Sequence, residues 1–223
     1  MLNALERLAT SLTPGDLDAT LARITAAAVE ILPEVQYASL SVKQADGRLV
    51  TVAPTHDVVT EVDAAQYQLR EGPCYEAAVE TVHVISPNLA ADSRFPRYAK
   101  VALDKGIRAQ VGIRLFDAPR SNGALNLYST SVGAFEDIGT VGRLFAHHAA
   151  TAIAYAQEIT QLREAIDTRG TIGQAVGVLM ERFGLNDQRA FSLLTRLSQD
   201  RNVKLRAIAE EVVSTPDWRP DRG

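Results

Sequence analysis

The spacing of apolar positions along the chain changes character more than once. Leu2, Leu5, Leu8 and Leu12 form a narrow stripe at helical spacing. Thr13-Pro14-Gly15-Asp16 then reads as a fresh helix start, with a threonine cap, proline in the first turn and an acid three residues on. Leu17, Leu21, Ile24, Ala28 and Ile31 carry that helix to Pro33. From Gln36 the period drops to two. Ala38, Leu40 and Val42 alternate with Ser39, Ser41 and Lys43, and Asp46-Gly47 turns the chain into LVTVA, which predicts a hairpin. Further strands are expected at 81–85, 108–115 and 123–129, the last pair joined by the turn-rich DAPRSN. Tyr98, Val101, Ala102 and Lys105 predict a short helix ending at Gly106. Strands with helices at both ends and one crossing give an α+β class with an antiparallel sheet flanked by helices.

From about residue 136 to 215 the pattern is helical. Ile138, Val141, Phe145, His148, Ala152, Tyr155, Ile159, Leu162 and Ile166 alternate steps of three and four, the repeat of a coiled coil. The first half can lie on the sheet. Beyond Ala156 the seam needs another partner, which predicts a parallel homodimer. After Arg169-Gly170 a compact all-α domain of three helices is expected. The first helix carries Ile172, Val176, Leu179 and Phe183. The second is capped at Asn186-Asp187 and carries Ala190, Phe191, Leu194 and Leu197. The third is capped by Asn202 and carries Leu205, Ile208, Ala209 and Val212. Phe183 and Phe191 are assigned to the core. Gly173 and Gly177 interrupt the first helix at about 1 kcal/mol each relative to Ala, so a close approach by the third helix or by a dimer mate is expected there. The tail TPDWRPDRG has two prolines and no period, and is read as disordered with Trp218 folding back. The organisation is thus 1–155 with the sheet, 156–168 as coiled-coil linker, 169–215 as helical domain and 216–223 as tail.

Composition narrows the setting. Hydrophobic residues make up 46% and charged residues 22% of 223, an ordinary globular balance. One cysteine, Cys74, excludes an internal disulfide framework and a multi-Cys zinc site, and fits a reducing cytoplasm. No apolar run approaches the roughly 20 residues of a bilayer span, and the N-terminus is no signal peptide. A soluble, cytoplasmic protein without a membrane partner is expected. The net charge of −4 is uneven: residues 169–213 hold seven basic against five acidic side chains, whereas 1–160 hold 13 against 18. A mildly basic end on an acidic body points to a polyanion partner. Catalysis is not expected. His147 and His148 are adjacent on a helix and point about 100° apart, His56 and His83 stand in separate segments, and there is no phosphate loop, nucleophile elbow or HExxH. No metal and no cofactor are implied.

The run IGQAVGVLMERFGLNDQRAFSLLTRLSQDRNVKLRAIAEEVV, entered through Arg169, resembles the ANTAR domain, the RNA-binding output module of transcription antitermination regulators. Ala175, Gly177, Met180, Ala190-Phe191, Leu194, Asn202, Lys204-Leu205 and Ala209 carry the likeness. The resemblance implies a dimer that grips paired RNA hairpin loops in leader transcripts and promotes antitermination. The matching polar positions are Arg169, Gln174, Arg196, Ser198, Asn202, Lys204 and Arg206. Val176 departs from the pattern, since the family usually has lysine there. Residues 15–155 are similar to a GAF domain, often fused to ANTAR in actinobacterial-type proteins, through EGPCYEA, NLAADSRFPRYA, GIRAQVGIRL and GALNLYS.

A GAF pocket would lie between the sheet and segments 53–75 and 86–105, lined by Tyr67, Arg70, Arg94, Phe95, Tyr98 and Arg108. The small-molecule ligand is unknown, and the domain could instead serve only to dimerise. Cys74 follows Gly72-Pro73 at a helix start, where a thiol pKa can fall. GAF-type reductases have further cysteines, and bilin-binding relatives follow the cysteine with histidine where this chain has Tyr75, so a small packing role is the better reading. Two rival functions remain: a DNA-binding factor using 186–213 as a helix-turn-helix, and a Cys74-dependent redox enzyme. The third helix ends in Glu210-Glu211, which disfavours the first.

Overall fold

The Asp16 carboxylate starts the first helix, α1 (Leu17–Ile31), by accepting the Ala19 N–H at 3.0 Å, which satisfies one of the orphan donors of a first turn. The computed structural model describes residues 16–32, 34–44, 46–79, 83–118, 121–136, 138–216 and 218–219. The leucine stripe before residue 13 and the expected Thr13 cap lie outside these, and the cap of α1 is Asp16.

The sheet comprises β1 (Tyr37–Lys43), β2 (Leu49–Val52), β3 (His83–Ser86), β4 (Ala109–Ala118) and β5 (Ser121–Ser129). Its order is β2-β1-β5-β4-β3, with every neighbouring pair antiparallel. The expected α+β class is therefore observed. β4 and β5 run further than their apolar pattern does. Asp117 pairs with Asn122 and Ala118 with Ser121, so most of DAPRSN is ladder rather than connector, and a register shift falls between Arg114 and Phe116. Such a bulge increases the local bend and twist of a long hairpin.

Three helices, not one, cover one face of the sheet: α2 (Asp57–Leu69), α3 (Pro73–Val79) and α4 (Pro96–Asp104). The β-branched Val58, Val59, Thr60 and Val62 argue against a helix by propensity. The helix forms because Val59, Val62, Asp63 and Gln66 fall on one buried face, a tertiary gain larger than the local cost. Their apolar contacts include Val59, Val62, Ala77, Leu89, Phe95, Tyr98, Ala124 and Tyr128. A Cβ on Gly112 would stand 2.4 Å from the Pro73 carbonyl, so α3 rests directly on the backbone of β4. The opposite face packs Leu40, Val111, Ile113, Leu125 and Leu127 against α1 and against Phe145, Ala149, Ala152 and Ile153 of α5.

That helix, α5 (Gly139–Phe183), is continuous over 45 residues. It runs through Arg169-Gly170 without a break, so the first of the expected C-terminal segments is the end of α5. The chain divides into compact units at 1–158 and 159–223. In the second, α6 (Asp187–Asp200) and α7 (Leu205–Ser214) close a core of Ala175, Leu179, Ala190, Leu194, Ile208, Ala209, Val212 and Trp218. Asn186 caps α6 by accepting the Arg189 N–H at 2.9 Å. Asn202 does not cap α7: it sits in the left-handed region at φ 50°, and Lys204 occupies the cap position without a side-chain bond. Trp218 does fold back, its Nε1 donating to Glu211 at 2.8 Å while Glu211 accepts from Arg201. A Cβ on Gly173 or Gly177 would meet nothing within 4 Å. α7 therefore does not approach them, contrary to one of the two expectations for these glycines.

Candidate functional site

In the first unit β1 directs Ser39 and Ser41 toward α2 and α3, while β4 contributes Gln110 and β5 contributes Asn126 and Tyr128, all buried. The alternation that reads as a solvent-facing polar side is instead the floor of a buried hydrogen-bond network. Asp63 of α2 is its centre. Oδ2 accepts from Ser39 Oγ at 2.7 Å and from Thr51 Oγ1 at 3.0 Å, and Oδ1 accepts from Tyr128 OH and from Gln66 Nε2 at 3.3 Å. Burial raises the Asp63 pKa to about 6, with the hydrogen bonds acting against it. Ser41 Oγ lies 2.6 Å from Tyr67 OH and 2.8 Å from Cys74 Sγ, and accepts from Asn126 Nδ2 at 2.8 Å. The Cys74 N–H donates to Gln66 Oε1 at 2.9 Å. Gly72 makes that fit possible. Its φ is 129°, and a Cβ there would overlap the Gln66 side chain at 2.3 Å. Burial pushes the Cys74 thiol up, the reverse of what its helix start alone would do.

The six expected pocket residues are not brought together. Tyr67 and Arg70 line a surface cleft of about 390 Å³ with Lys43, Arg48 and Tyr75. Phe95 and Tyr98 are core residues, with Tyr98 OH donating to Gln110. Arg94 is held by Asp92 and by the Ile85 carbonyl, and lies 4.9 Å over the Phe95 ring. Arg108 is exposed, its N–H bonded to the Ser129 carbonyl. The space expected to hold a ligand beneath the helices is filled by the Asp63 network. The His147 and His148 rings stand 5.9 Å apart. No group of three or more His, Cys, Asp and Glu among the described residues could hold a metal.

The second unit distributes its polar positions over two places. Arg206 donates to Glu210 at 2.7 Å and reaches Thr168 Oγ1 at 3.5 Å, which sets the start of α7 beside the turn of α5 that carries Arg169. Lys204 and Asn202 are exposed in the turn before α7, and Gln174 is exposed on α5. Ser198 Oγ donates to the Val203 carbonyl at 2.6 Å and holds that turn closed. Val176, where the resemblance expects lysine, is buried in the core.

Arg196 stands elsewhere. With Arg189, Gln188 and Ser192 of α6 it borders a groove of about 660 Å³ whose apolar wall is Phe183, Leu185 and Leu193. Phe183 is 41% and Phe191 45% exposed, so both leave the core to which their helical stripes assigned them. The buried stripe of α5 in this unit is Ala175, Val176 and Leu179. At Gly184 the chain turns with φ 62°, which leaves Phe183 at the rim. The glycine that ends the helix is the sequence signal for that turn.

Comparison with known proteins gives two family matches: residues 15–154 match the GAF domain and residues 160–213 the ANTAR domain. No curated protein matches the chain at a significant level. Among solved structures, the GAF domain of a phosphoenolpyruvate-protein phosphotransferase from Acinetobacter superposes with a TM-score of 0.53 at 14% identity, over 72% of this chain and 96% of that one. An N-acylhomoserine lactone-dependent LuxR-family transcription factor from Burkholderia cenocepacia gives 0.55 at 17%, over 70% and 94%. The free methionine-R-sulfoxide reductase from Neisseria meningitidis, solved with its substrate, gives 0.53 at 14%, over 70% and 89%. At these identities the likeness is one of fold. No helix among the described residues is long and apolar enough to cross a membrane. GAF and ANTAR domains are regulatory rather than catalytic, the one sensory and the other the output module of antitermination regulators. The chain belongs to the GAF-domain family and carries a C-terminal ANTAR domain.

Proposed function

We propose that the protein is a cytoplasmic, homodimeric regulator that binds RNA hairpin loops through its ANTAR unit and promotes transcription antitermination, with the GAF unit as its signal input. One observation carries the reading. The unit that matches ANTAR presents Arg169, Arg189, Arg196 and Lys204 exposed and without an ion pair among the described residues. Guanidinium groups suit RNA loops because they bond phosphates bidentately and stack on bases. The buried Val176 supplies no phosphate contact, which leaves that role to exposed cations such as these four. Among the site positions, Arg169, Gln174, Arg196, Asn202 and Lys204 can reach a ligand directly. Arg206 does so only by leaving Glu210, and Ser198 shapes the turn that presents Lys204. Input to the GAF unit enters through the cleft beside Tyr67 and Arg70, because Tyr67 borders the cleft while its hydroxyl belongs to the Ser41–Thr51 network.

DNA binding through 186–213 is disfavoured by charge. α7 carries Glu210 and Glu211, which already engage Arg206 and Arg201, leaving a poor recognition helix. Selection of bound RNA and DNA from genomic fragments by the full-length protein tests the reading. Enrichment of leader RNAs with neighbouring hairpins is expected. Enrichment of duplex DNA with no RNA would replace this reading by the DNA-binding one.

A further inference from the structure

The groove between the end of α5 and α6 combines three features that the positions read from the sequence do not explain. The first is an apolar wall: Phe183 is 41% exposed, with Leu185 and Leu193 beside it. The second is charge of one sign. Arg189 and Arg196 lie on the same side of α6, two turns or about 10 Å apart along its axis, and no carboxylate among the described residues lines the groove. Neither arginine has an ion pair among the described residues, whereas Arg201 and Arg206 are held by Glu211 and Glu210, and Arg182 by the Thr215 carbonyl. The third is a pair of neutral hydrogen-bonding groups on the same groove, the Gln188 amide and the Ser192 hydroxyl. At about 660 Å³ the groove falls in the roughly 300–1,000 Å³ range of sites that hold small molecules.

An aromatic face, two unpaired guanidiniums and amide and hydroxyl groups match the face of a nucleobase, its flanking phosphates and its edge. We propose that this groove is the base-binding pocket of the ANTAR unit. One unpaired nucleobase of an RNA loop stacks on Phe183 over Leu185 and Leu193. Arg189 and Arg196 hold the phosphates on either side of it, and Gln188 and Ser192 meet the base edge. Stacking supplies affinity with little sequence preference, and the two polar side chains supply discrimination. An acidic peptide could satisfy the arginines, but it would leave the aromatic face without a partner. The proposal rests on the RNA-binding reading above and adds to it the surface used.

The test uses full-length protein and two probes: a hairpin RNA with an unpaired loop taken from the genomic selection, and a blunt RNA duplex of equal length. Phe183→Ala should weaken hairpin binding about 5- to 100-fold, the effect of removing one base stack, while duplex binding changes little. Phe183→Leu, which keeps apolar bulk without a π face, should behave like the alanine variant, and Phe183→Trp should restore binding. Arg189→Ala should weaken binding and lower the slope of log affinity against log salt by about 0.7 for each phosphate it no longer neutralises. Circular dichroism should show an intact fold, since Phe183 is outside the core. Wild-type hairpin affinity in folded Phe183→Ala and Arg189→Ala would overturn the groove and leave the RNA reading standing. Wild-type protein that binds no RNA would overturn both. A Phe183→Ala variant whose oligomeric state changes in sedimentation, with hairpin affinity kept, would make the groove a protein interface and overturn the proposal.

Discussion

Four donors converge on the Asp63 carboxylate, from Ser39, Thr51, Gln66 and Tyr128, yet burial still raises its pKa from 3.8 to about 6. The folded chain therefore binds this proton more tightly than the unfolded chain does. Where the native state holds more protons than the unfolded one, stability falls as pH rises. The contribution is complete below about pH 4, is lost between about pH 4 and 6, and amounts to roughly 3 kcal/mol at about 1.4 kcal/mol per pK unit. Asp46, Glu71 and Asp92, whose pKa values are lowered, act in the opposite sense, so the wild-type profile alone does not isolate Asp63. The difference between wild type and Asp63→Asn does. Urea midpoints from pH 4 to 7 should show wild type losing roughly 3 kcal/mol relative to the variant, and parallel profiles would mean that Asp63 does not carry this proton. Little of this was legible in the sequence. Ser39 and Ser41 alternate with apolar neighbours as a solvated face would, and only the three helices laid over that face make them interior. Phe183 and Phe191 mislead in the opposite way, because their periodicity says which side of a helix they occupy and not whether another helix covers it.

Along α5, Ile159, Leu162, Ile166, Gly170, Gly173, Gly177 and Met180 recur in steps of three and four, which is one seam at coiled-coil spacing. Leu162 is 57% and Ile166 67% exposed, and the glycines are open. The apolar part of this seam is legible in the sequence as a heptad pattern. Its continuation through the glycines leaves no hydrophobic trace, and only the helix cost of Gly173 and Gly177 hints at it. α2 escapes notice for a related reason, since its β-branched positions mask a helical period, and Asn202 misleads because a left-handed asparagine and a capping one look alike in sequence. The glycines yield a prediction with two signs. In a lone chain, Gly173→Ala and Gly177→Ala add methyls that meet nothing within 4 Å, so together they should stabilise the second unit by about 1–2 kcal/mol. In a dimer that brings two α5 helices together at these positions, the same methyls hold the helices apart, and the dissociation constant should rise roughly 5- to 100-fold, the cost of mild overpacking. Thermal unfolding at low concentration reads the first effect and sedimentation equilibrium the second. A stabilised variant that dimerises as tightly as wild type would confine the seam to Ile159–Ile166.

For the whole molecule, the chain separates into two compact units at 158/159, and the point beyond Ala156 where the heptad seam outruns the sheet puts the boundary expected from sequence at 155/156. Charge separates there too, with an acidic first unit and a more basic second one. A homodimer carries two ANTAR units, so the second hairpin of a paired leader binds intramolecularly, at the effective concentration set by the connection and not by the solution. Binding two linked hairpins can then exceed binding one by about 10²–10⁴ without any new contact. Leu162→Asp places two carboxylates in the proposed seam and leaves both the groove and the start of α7 untouched. It should convert dimers to monomers in sedimentation velocity and reduce two-hairpin affinity by about a hundredfold or more, to the level of a single hairpin. Affinity for one isolated hairpin should stay within about twofold of wild type, because each ANTAR unit keeps its own core of Ala175, Leu179, Leu194 and Ile208. A monomeric variant that still bound paired hairpins at wild-type strength would place both loops on one chain and remove the dimer from recognition. An unchanged dimer would move the interface away from this seam.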